Sequence, residues 1–410
     1  MVSDRNLSGC QVFEPASVPS AWDCVPLGRR IELAYGRGLR QEDRKPGHVD
    51  VYGSNGRVGS HDVALQNGPG ILIGRKGTVG AVHYASRPFW PIDTVYYVAP
   101  RTEDKLRFLH HLLEYLPLGS LNAATGVPGL SRRDVYALRG VFPPPDEQAA
   151  IARILDAVDD TLERTRAAVD RAGELRHCLL HQLLERGLAP GGRGKQRHPA
   201  HWSIRRVDEL AEVGSGVTLG QDVSGVKSVE LPYLRVANVQ DGHLDLATVK
   251  TVRVPIDEVE SYRLEIGDVL MTEGGDIDKL GRGAIWEGQI PECLHQNHIF
   301  RIRPNRELLE PAFYALVVES DIAKRYFNRV AKRTTNLAST NKTQVRGFQF
   351  PVPPTLHEQQ QIAAVMKASK AMLDGLLDKQ AALGALKKSL MYDLLTGRVR
   401  VRNEGTAATP

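Results

Sequence analysis

The stretch 142-FPPPDEQAAIARIL-155 returns later in the same chain as 350-FPVPPTLHEQQQIAAVM-366. Aligning Glu147-Gln148 on Glu358-Gln359 sets an offset of 358 − 147 = 211. The same offset pairs Ile151 with Ile362, Leu162 with Leu373 and Leu183-Leu184 with Leu394-Leu395, without a gap over 38 residues, 11 of them identical. An internal repeat of this kind decides architecture before any single element is named. Each copy has helical periodicity. Ile151, Leu155, Val158, Leu162, Thr165, Val169 and Ala172 alternate spacings of four and three, and Ile362, Met366, Ser369, Leu373, Leu376, Gln380 and Leu383 do the same. That is the apolar seam of a coiled coil. Prolines preset an extended entry to each rod, Asp146 and Glu147 suit the positive end of the first, and Gly187 and Gly397 are placed to close them. A 38-residue helix is roughly 57 Å long, longer than a small domain is wide.

What lies between the rods also repeats. Trp22 opens 22-WDCVPLGRRIELAYGRG-38 and Trp202 opens 202-WSIRRVDELAEVGSGVTLG-220, an offset of 180. Since the offset is 211 at the helices, the second domain carries a net insertion. Each domain then shows a glycine-flanked apolar strand, 70-GILIGRKGTVGAV-82 and 267-GDVLMTEGGDIDKLGRGAI-285, followed by 89-FWPIDTVYYV-98 and 298-HIFRIR-303. The segments predicted are an N-terminal extension (1–14), a first globular domain (15–145), a long helix (146–187), a Gly/Pro/basic linker (188–201), a second domain (202–354), a second long helix (355–397) and a C-terminal tail (398–410). The fold class predicted is α+β: two mixed, β-rich globular domains separated by two long antiparallel helices that form a coiled-coil spacer, with a pseudo-two-fold internal repeat.

Composition bounds the function classes. The 410 residues are 42% hydrophobic and 25% charged, enough for two or more domains. Four dispersed cysteines argue against a disulfide framework or a zinc ribbon. No apolar run approaches about 18 residues and the N-terminus lacks the pattern of an export signal, so a cytoplasmic location is expected. Fifty-three basic against 48 acidic residues give a net charge of +5, which permits a polyanionic partner without demanding one.

The double-domain, double-helix order resembles the specificity subunit of type I restriction-modification systems. The carrying motifs are the helix starts Pro144-Pro145-Asp146-Glu147-Gln148 and Pro353-Pro354 with Glu358-Gln359, the GRKGTVG strand-turn, and the helix end Leu394-Leu395-Thr396-Gly397-Arg398. One departure is that the second helix start has Leu356 and His357 between the prolines and Glu358, whereas the first has no such pair. The resemblance implies that each globular domain is a target-recognition domain reading one half of a bipartite, asymmetric double-stranded DNA site. It implies helices that set the spacer and dock two methyltransferase subunits, and it allows two restriction (motor-nuclease) subunits besides. No cofactor is expected on this chain; S-adenosylmethionine is expected on the partner methyltransferase. The subunit itself is expected to be non-catalytic.

Catalytic motifs point the same way. The proline runs lack the flanking residues of an amino-methyltransferase site, and Lys76 is followed by Gly77 where a phosphate loop needs Ser or Thr. Asp93 with Glu103-Asp104-Lys105 only mimics a nuclease, and Cys293, His295 and His298 lack a fourth zinc ligand. A protein-interaction scaffold without a DNA role, or a subunit of a bifunctional restriction enzyme, are the alternatives. Phosphates are met by cations and backbone N–H groups, and base edges by Arg, Lys, Asn, Gln, Ser and Thr. In the first domain the candidate DNA-binding residues are Tyr52, Ser54, Asn55, Arg57, Arg75, Lys76, Thr125, Ser131, Arg132 and Arg133. In the second they are Arg235, Asn238, Lys279, Arg282, Lys332, Arg333, Asn336, Asn341 and Lys342.

Overall fold

The computed structural model describes residues 18–121, 129–188, 198–220, 222–276, 280–333 and 337–401. It divides into two units. The first holds residues up to Ala167 together with Leu377 onward, and the second holds Ala168–Leu376. Both units draw on both long helices, which span Pro145–Arg186 and Leu356–Leu395. Gly187 and Gly397 follow them at φ +66° and +77°, the left-handed conformation that a terminating glycine adopts without strain.

The helix starts are equivalent: 356 − 145 = 211, the offset of the repeat. The slot of Leu356-His357 is filled in the first copy by Pro145-Asp146. Pro145 is the first helical residue, where the N–H it lacks has no intrahelical partner anyway. The two helices are 42 and 40 residues long, so the departure at the helix start does not displace the first rod.

The first unit contains a four-stranded antiparallel sheet in the order Ile31–Tyr35, Val95–Pro100, Gly70–Gly74, Val82–Ala85. A second sheet sets Val49–Gly53 between Gly56–His61 and Phe89–Pro91, the latter pairing parallel. The second unit repeats both. Its four-stranded sheet runs Ala211–Ser215, Ile299–Pro304, Val269–Thr272, Gly283–Ile285, and Ser228–Leu234 lies between Lys250–Pro255 and the parallel pair Leu294–His295. In each unit a two-stranded ribbon joins the strand after the opening tryptophan to the strand before the long helix: Asp23–Pro26 with Arg139–Phe142, and Ser203–Arg206 with Gln349–Val352. Register locates the inserted residues. Ile31 and Ala211 are equivalent at an offset of 180, Ile71 and Val269 at 198, Val98 and Ile302 at 204, Arg139 and Gln349 at 210. More than half of the extra length therefore falls between the first two strands of the four-stranded sheet.

Each domain core absorbs the helix turns that belong to its unit. Ile151, Leu155, Met391, Leu394 and Leu395 share a cluster with Trp22, Ile31, Phe108 and Leu112. Leu180, Leu183, Leu184, Ile362 and Met366 share one with Trp202, Phe313, Phe348 and Phe350. Thus the start of one helix packs beside the end of the other within each unit, which is antiparallel pairing. Leu162 is also buried, while the seam residues Val158, Val169, Leu373, Leu376 and Leu383 are half-buried where domain side chains no longer cover the helices. Among the described residues no helix is long and apolar enough to cross a membrane.

Candidate nucleic-acid interface

The repeated Glu-Gln pair is a two-part latch that fixes each domain on its rod. In the first unit Trp22 Nε1 donates to Glu147 Oε2 at 3.0 Å, and Trp202 Nε1 donates to Glu358 Oε1 at 3.0 Å in the second. The adjacent glutamines, each 1% exposed, reach the opposite way. Gln148 Oε1 accepts from Lys105 N–H at 2.8 Å, the residue that opens the helix Leu106–Tyr115, and its Nε2 donates to Asp104 Oδ1 (2.6 Å) and Pro143 O (2.9 Å). Gln359 Oε1 accepts at 2.7 Å from the N–H of Glu310, the residue that opens Pro311–Glu319, and its Nε2 donates to Leu308 O and Pro353 O at 3.1 and 3.2 Å. A buried amide that satisfies several orphan backbone groups is costly to replace. The Pro-x-x-Trp start of each domain sits over the glycine ending a long helix: Pro19 and Trp22 over Gly397, Pro199 and Trp202 over Gly187. Arg400 then closes on Glu147 with two bonds of 2.7 Å, where the second unit uses His201 on Glu358. Burial alone would raise the Glu147 carboxyl, but Arg400 and Trp22 hold it below the ordinary range.

On these fixed domains the candidate loops gather. In the first unit the turn carrying Ser54 and exposed Asn55 abuts the 74–80 turn: a Cβ on Gly77 would stand 3.0 Å from Ser54 Oγ. Gly77 and Gly80 hold φ of +79° and +78°, which lets that turn fold tightly with Lys76 exposed at its tip. Arg75 donates to Asp93 O at 3.1 and 2.7 Å and stacks over Tyr35. Arg132 covers the same ring at 4.6 Å. Tyr35 is 51% exposed, and two guanidinium groups lie against its ring. It was not among the sequence candidates, because its neighbours come from a turn and a short helix 40 and 97 residues away (75 − 35; 132 − 35). Arg57 is paired with Asp50 at 2.6 Å, and Tyr52 is half-buried with its ring edge on Phe89. Ser131 precedes the short helix Arg132–Ala137 and Arg133 is exposed upon it.

In the second unit three candidate segments converge. Lys332–Arg333 pairs with Leu337–Ser339, which pairs with Gly274–Asp276, so strands from the two candidate segments form one small sheet. The 235–242 segment meets the far end of the 272–283 segment, at the edge of the four-stranded sheet, through Gly242 N–H to Gly283 O at 2.9 Å and Arg282 Nη1 to Gln240 Oε1 at 2.7 Å. Lys332 and Arg333 are exposed and Lys342 is half-buried. Arg235 donates to Thr248 O at 3.0 Å. Two candidates make local hydrogen bonds. Asn238 is 3% exposed, and its amide is consumed by Arg235 N–H, Asp245 O and Thr248 O, holding its own loop shut rather than reaching a base. Asn341 caps the helix Lys342–Arg346, its Oδ1 accepting from Gln344 N–H at 2.9 Å. Thr125, Lys279 and Asn336 lie outside the described residues. Cys293, His295 and His298 part ways: burial pushes the Cys293 thiol up to about 12, His295 bonds Tyr262 O, and His298 faces Glu273.

The fold thus defines an internally duplicated protein of two domains and two shared helices, with a basic loop cluster on each domain. The family model for the type I restriction modification DNA specificity domain matches residues 19–169 and 199–379, and the chain belongs to that family. It is 30% identical over 201 residues to the putative type I restriction enzyme MjaX specificity subunit of Methanocaldococcus jannaschii, covering 48% of this chain and 46% of that protein. To the type I restriction enzyme EcoKI specificity subunit of Escherichia coli K12 it is 22% identical over 296 residues, covering 69% and 62%. The alignments therefore span about half to two thirds of these relatives. Its fold is that of the type I restriction-modification S subunit from M. genitalium, with a TM-score of 0.62 at 16% identity over 92% of this chain and 96% of that one.

Proposed function

We propose that this chain is the DNA-recognition subunit of a type I restriction-modification complex. Each domain reads one half of a bipartite, asymmetric site, and the paired helices set the unread gap. The observation that carries this reading is the duplicated latch: each of two domains of one fold is held on the long helices through an equivalent Trp–Glu and Gln contact, yet the two carry different loops. Arg75, Lys76, Arg132 and Arg133 with Ser54 and Asn55 serve one half-site, and Lys332, Arg333, Arg282 and Arg235 serve the other. The cations meet phosphates, and Tyr35 offers a stacking face at the first half-site. Different loops on equivalent scaffolds support unlike half-sites. The chain supplies no catalysis of its own in this reading. Two methyltransferase subunits dock on the helices and bring S-adenosylmethionine, so extrusion and methylation of the target adenine are their work. Two restriction subunits join where cleavage occurs, and the whole belongs in the cytoplasm.

Gel-shift titration of duplex DNA at several salt concentrations tests the core of this reading. Affinity should fall linearly on a log-log plot as phosphate contacts release counterions. Salt-insensitive or undetectable binding, alone and with the methyltransferase subunit, leaves a protein-interaction scaffold as the reading.

A further inference from the structure

The helix Leu106–Tyr115 carries the segment 110-HHLLE-114 against the opening turns of the first long helix, all within the first unit. Residues three and four apart share a helix face, so Glu114 meets both histidines. His110 is 8% exposed and His111 is 0% exposed, and each has a buried Nδ1 with no hydrogen-bond partner. One ring nitrogen of each and a carboxylate oxygen of Glu114 all lie within 4.8 Å of one another; among the described residues this is the one such grouping of three or more His, Cys, Asp or Glu side chains. His111 Nδ1 is 3.8 Å from Glu114 Oε2 and 3.9 Å from Asp159 Oδ2.

The surroundings are those of a ligand set. His111 Nε2 lies 2.7 Å from Asp156 Oδ1, a carboxylate also held by Arg107. When that nitrogen carries the proton, the Nδ1 lone pair faces Glu114 and Asp159, as in the carboxylate–histidine pairs behind metal ligands. Burial, with His111 beside it, keeps the His110 ring neutral by pulling its pKa down to about 3. A cation already occupies the acidic side: Lys387 Nζ is 2.8 Å from both Glu114 and Asp159. Its N–H groups are directed at these two carboxylates, and the Nδ1 atoms of His110 and His111 are left without a hydrogen-bond partner. A cleft of about 1000 Å³, lined by His110, Glu114, Asp159 and Lys387 among others, gives an entry path.

We propose that His110, His111, Glu114 and Asp159 bind a transition-metal dication of the zinc class, in competition with the Lys387 ammonium. Two imidazoles with two carboxylates favour such a metal over calcium or magnesium, which prefer all-oxygen sites. Because Asp159 lies on the long helix and the other three on the domain, the ion clamps the first recognition domain to its rod. This does not depend on the DNA-reading proposal.

The test uses the full chain without a histidine tag, stripped with chelator and titrated with zinc alone by calorimetry, and with cobalt(II) as a visible-absorption probe. One equivalent should bind, with the absorption of a low-symmetry nitrogen/oxygen site. His110→Gln and Glu114→Gln should each weaken binding by at least about tenfold with circular dichroism unchanged. Lys387→Gln should tighten it, since the competing cation is gone. Should the histidine variant not fold, the Lys387 variant still decides. Absence of zinc uptake, uptake unchanged in both ligand variants, or no tightening on loss of Lys387 would each overturn the proposal.

Discussion

Replacing Gln148 by glutamate changes one group of one buried side chain and reverses its role at two contacts. The retained Oε1 still accepts from Lys105 N–H, but the new oxygen faces Pro143 O and the Asp104 carboxylate, where the amide donated at 2.9 and 2.6 Å. At about 1–3 kcal/mol for each buried group left unpaired, the first unit should lose about 3–4 kcal/mol. Gln359→Glu is the matched control. It turns the same oxygen on two carbonyls at 3.1 and 3.2 Å, without a carboxylate among the acceptors, and should cost about 2 kcal/mol. With m near 2 kcal/mol per molar urea, the midpoints fall by about 1.5–2 M and about 1 M respectively. Urea titration followed by far-UV circular dichroism measures both. Hydrogen exchange should place the first loss at the amides of Leu106–Tyr115. The pH dependence also has a defined sign. Asp104 raises the pKa of the introduced carboxyl in the folded state, so the penalty is smallest below the ordinary glutamate value of about 4.3 and grows as pH rises through the raised folded value. A Gln148→Glu protein as stable as wild type, or a larger loss from Gln359→Glu, refutes the latch.

Further outcomes follow from the same contacts. Leu155→Ala, at a fully buried seam position, should cost about 3–4 kcal/mol in urea unfolding, whereas Leu175→Ala, 69% exposed on the same helix, should stay within about 0.5 kcal/mol. Because the folded state depresses the Glu147 pKa, its contribution is present above the unfolded value and lost as pH falls through the folded one. Thermal melts between about pH 5 and 2.5 should therefore fall more gently for Glu147→Gln than for wild type. Arg75→Ala should weaken DNA binding and shallow the salt slope by about one unit, while Tyr35→Ala should cost about 1–3 kcal/mol at little change in slope, as gel shifts at several salt concentrations would record.

Much of the architecture was legible because it is written twice. A repeated Glu-Gln after prolines, an apolar seam at coiled-coil spacing and two opening tryptophans suffice to predict alternating domains and rods. What the glutamines hold was not legible: their partners are backbone groups of a helix start 43 and 49 residues earlier. The loops were partly readable. Glycine-rich turns marked where Lys76 and Arg75 lie, but polar composition does not separate an outward side chain from one spent locally. Asn341 could have been recognised, since Asn341-x-x-Gln344 is a capping box in sequence as well as in structure. Asn238 could not, because two of its three partners are carbonyls 7 and 10 residues on. Tyr35 depends on three segments meeting, which no local pattern reports.

The central claim is that two fixed readers on paired helices define a bipartite DNA site. Its most direct test is to coexpress the chain with its methyltransferase subunit and map methylated adenines genome-wide, for wild type and for a variant shortened by about one heptad in each long helix. Seven residues at ~1.5 Å span ~10 Å, or about three base pairs at ~3.4 Å each. The account predicts a two-part motif with a fixed gap in wild type, and unchanged half-sites with a gap altered by about three base pairs in the variant. A contiguous motif, or a gap that does not move in a variant that still methylates, would contradict it.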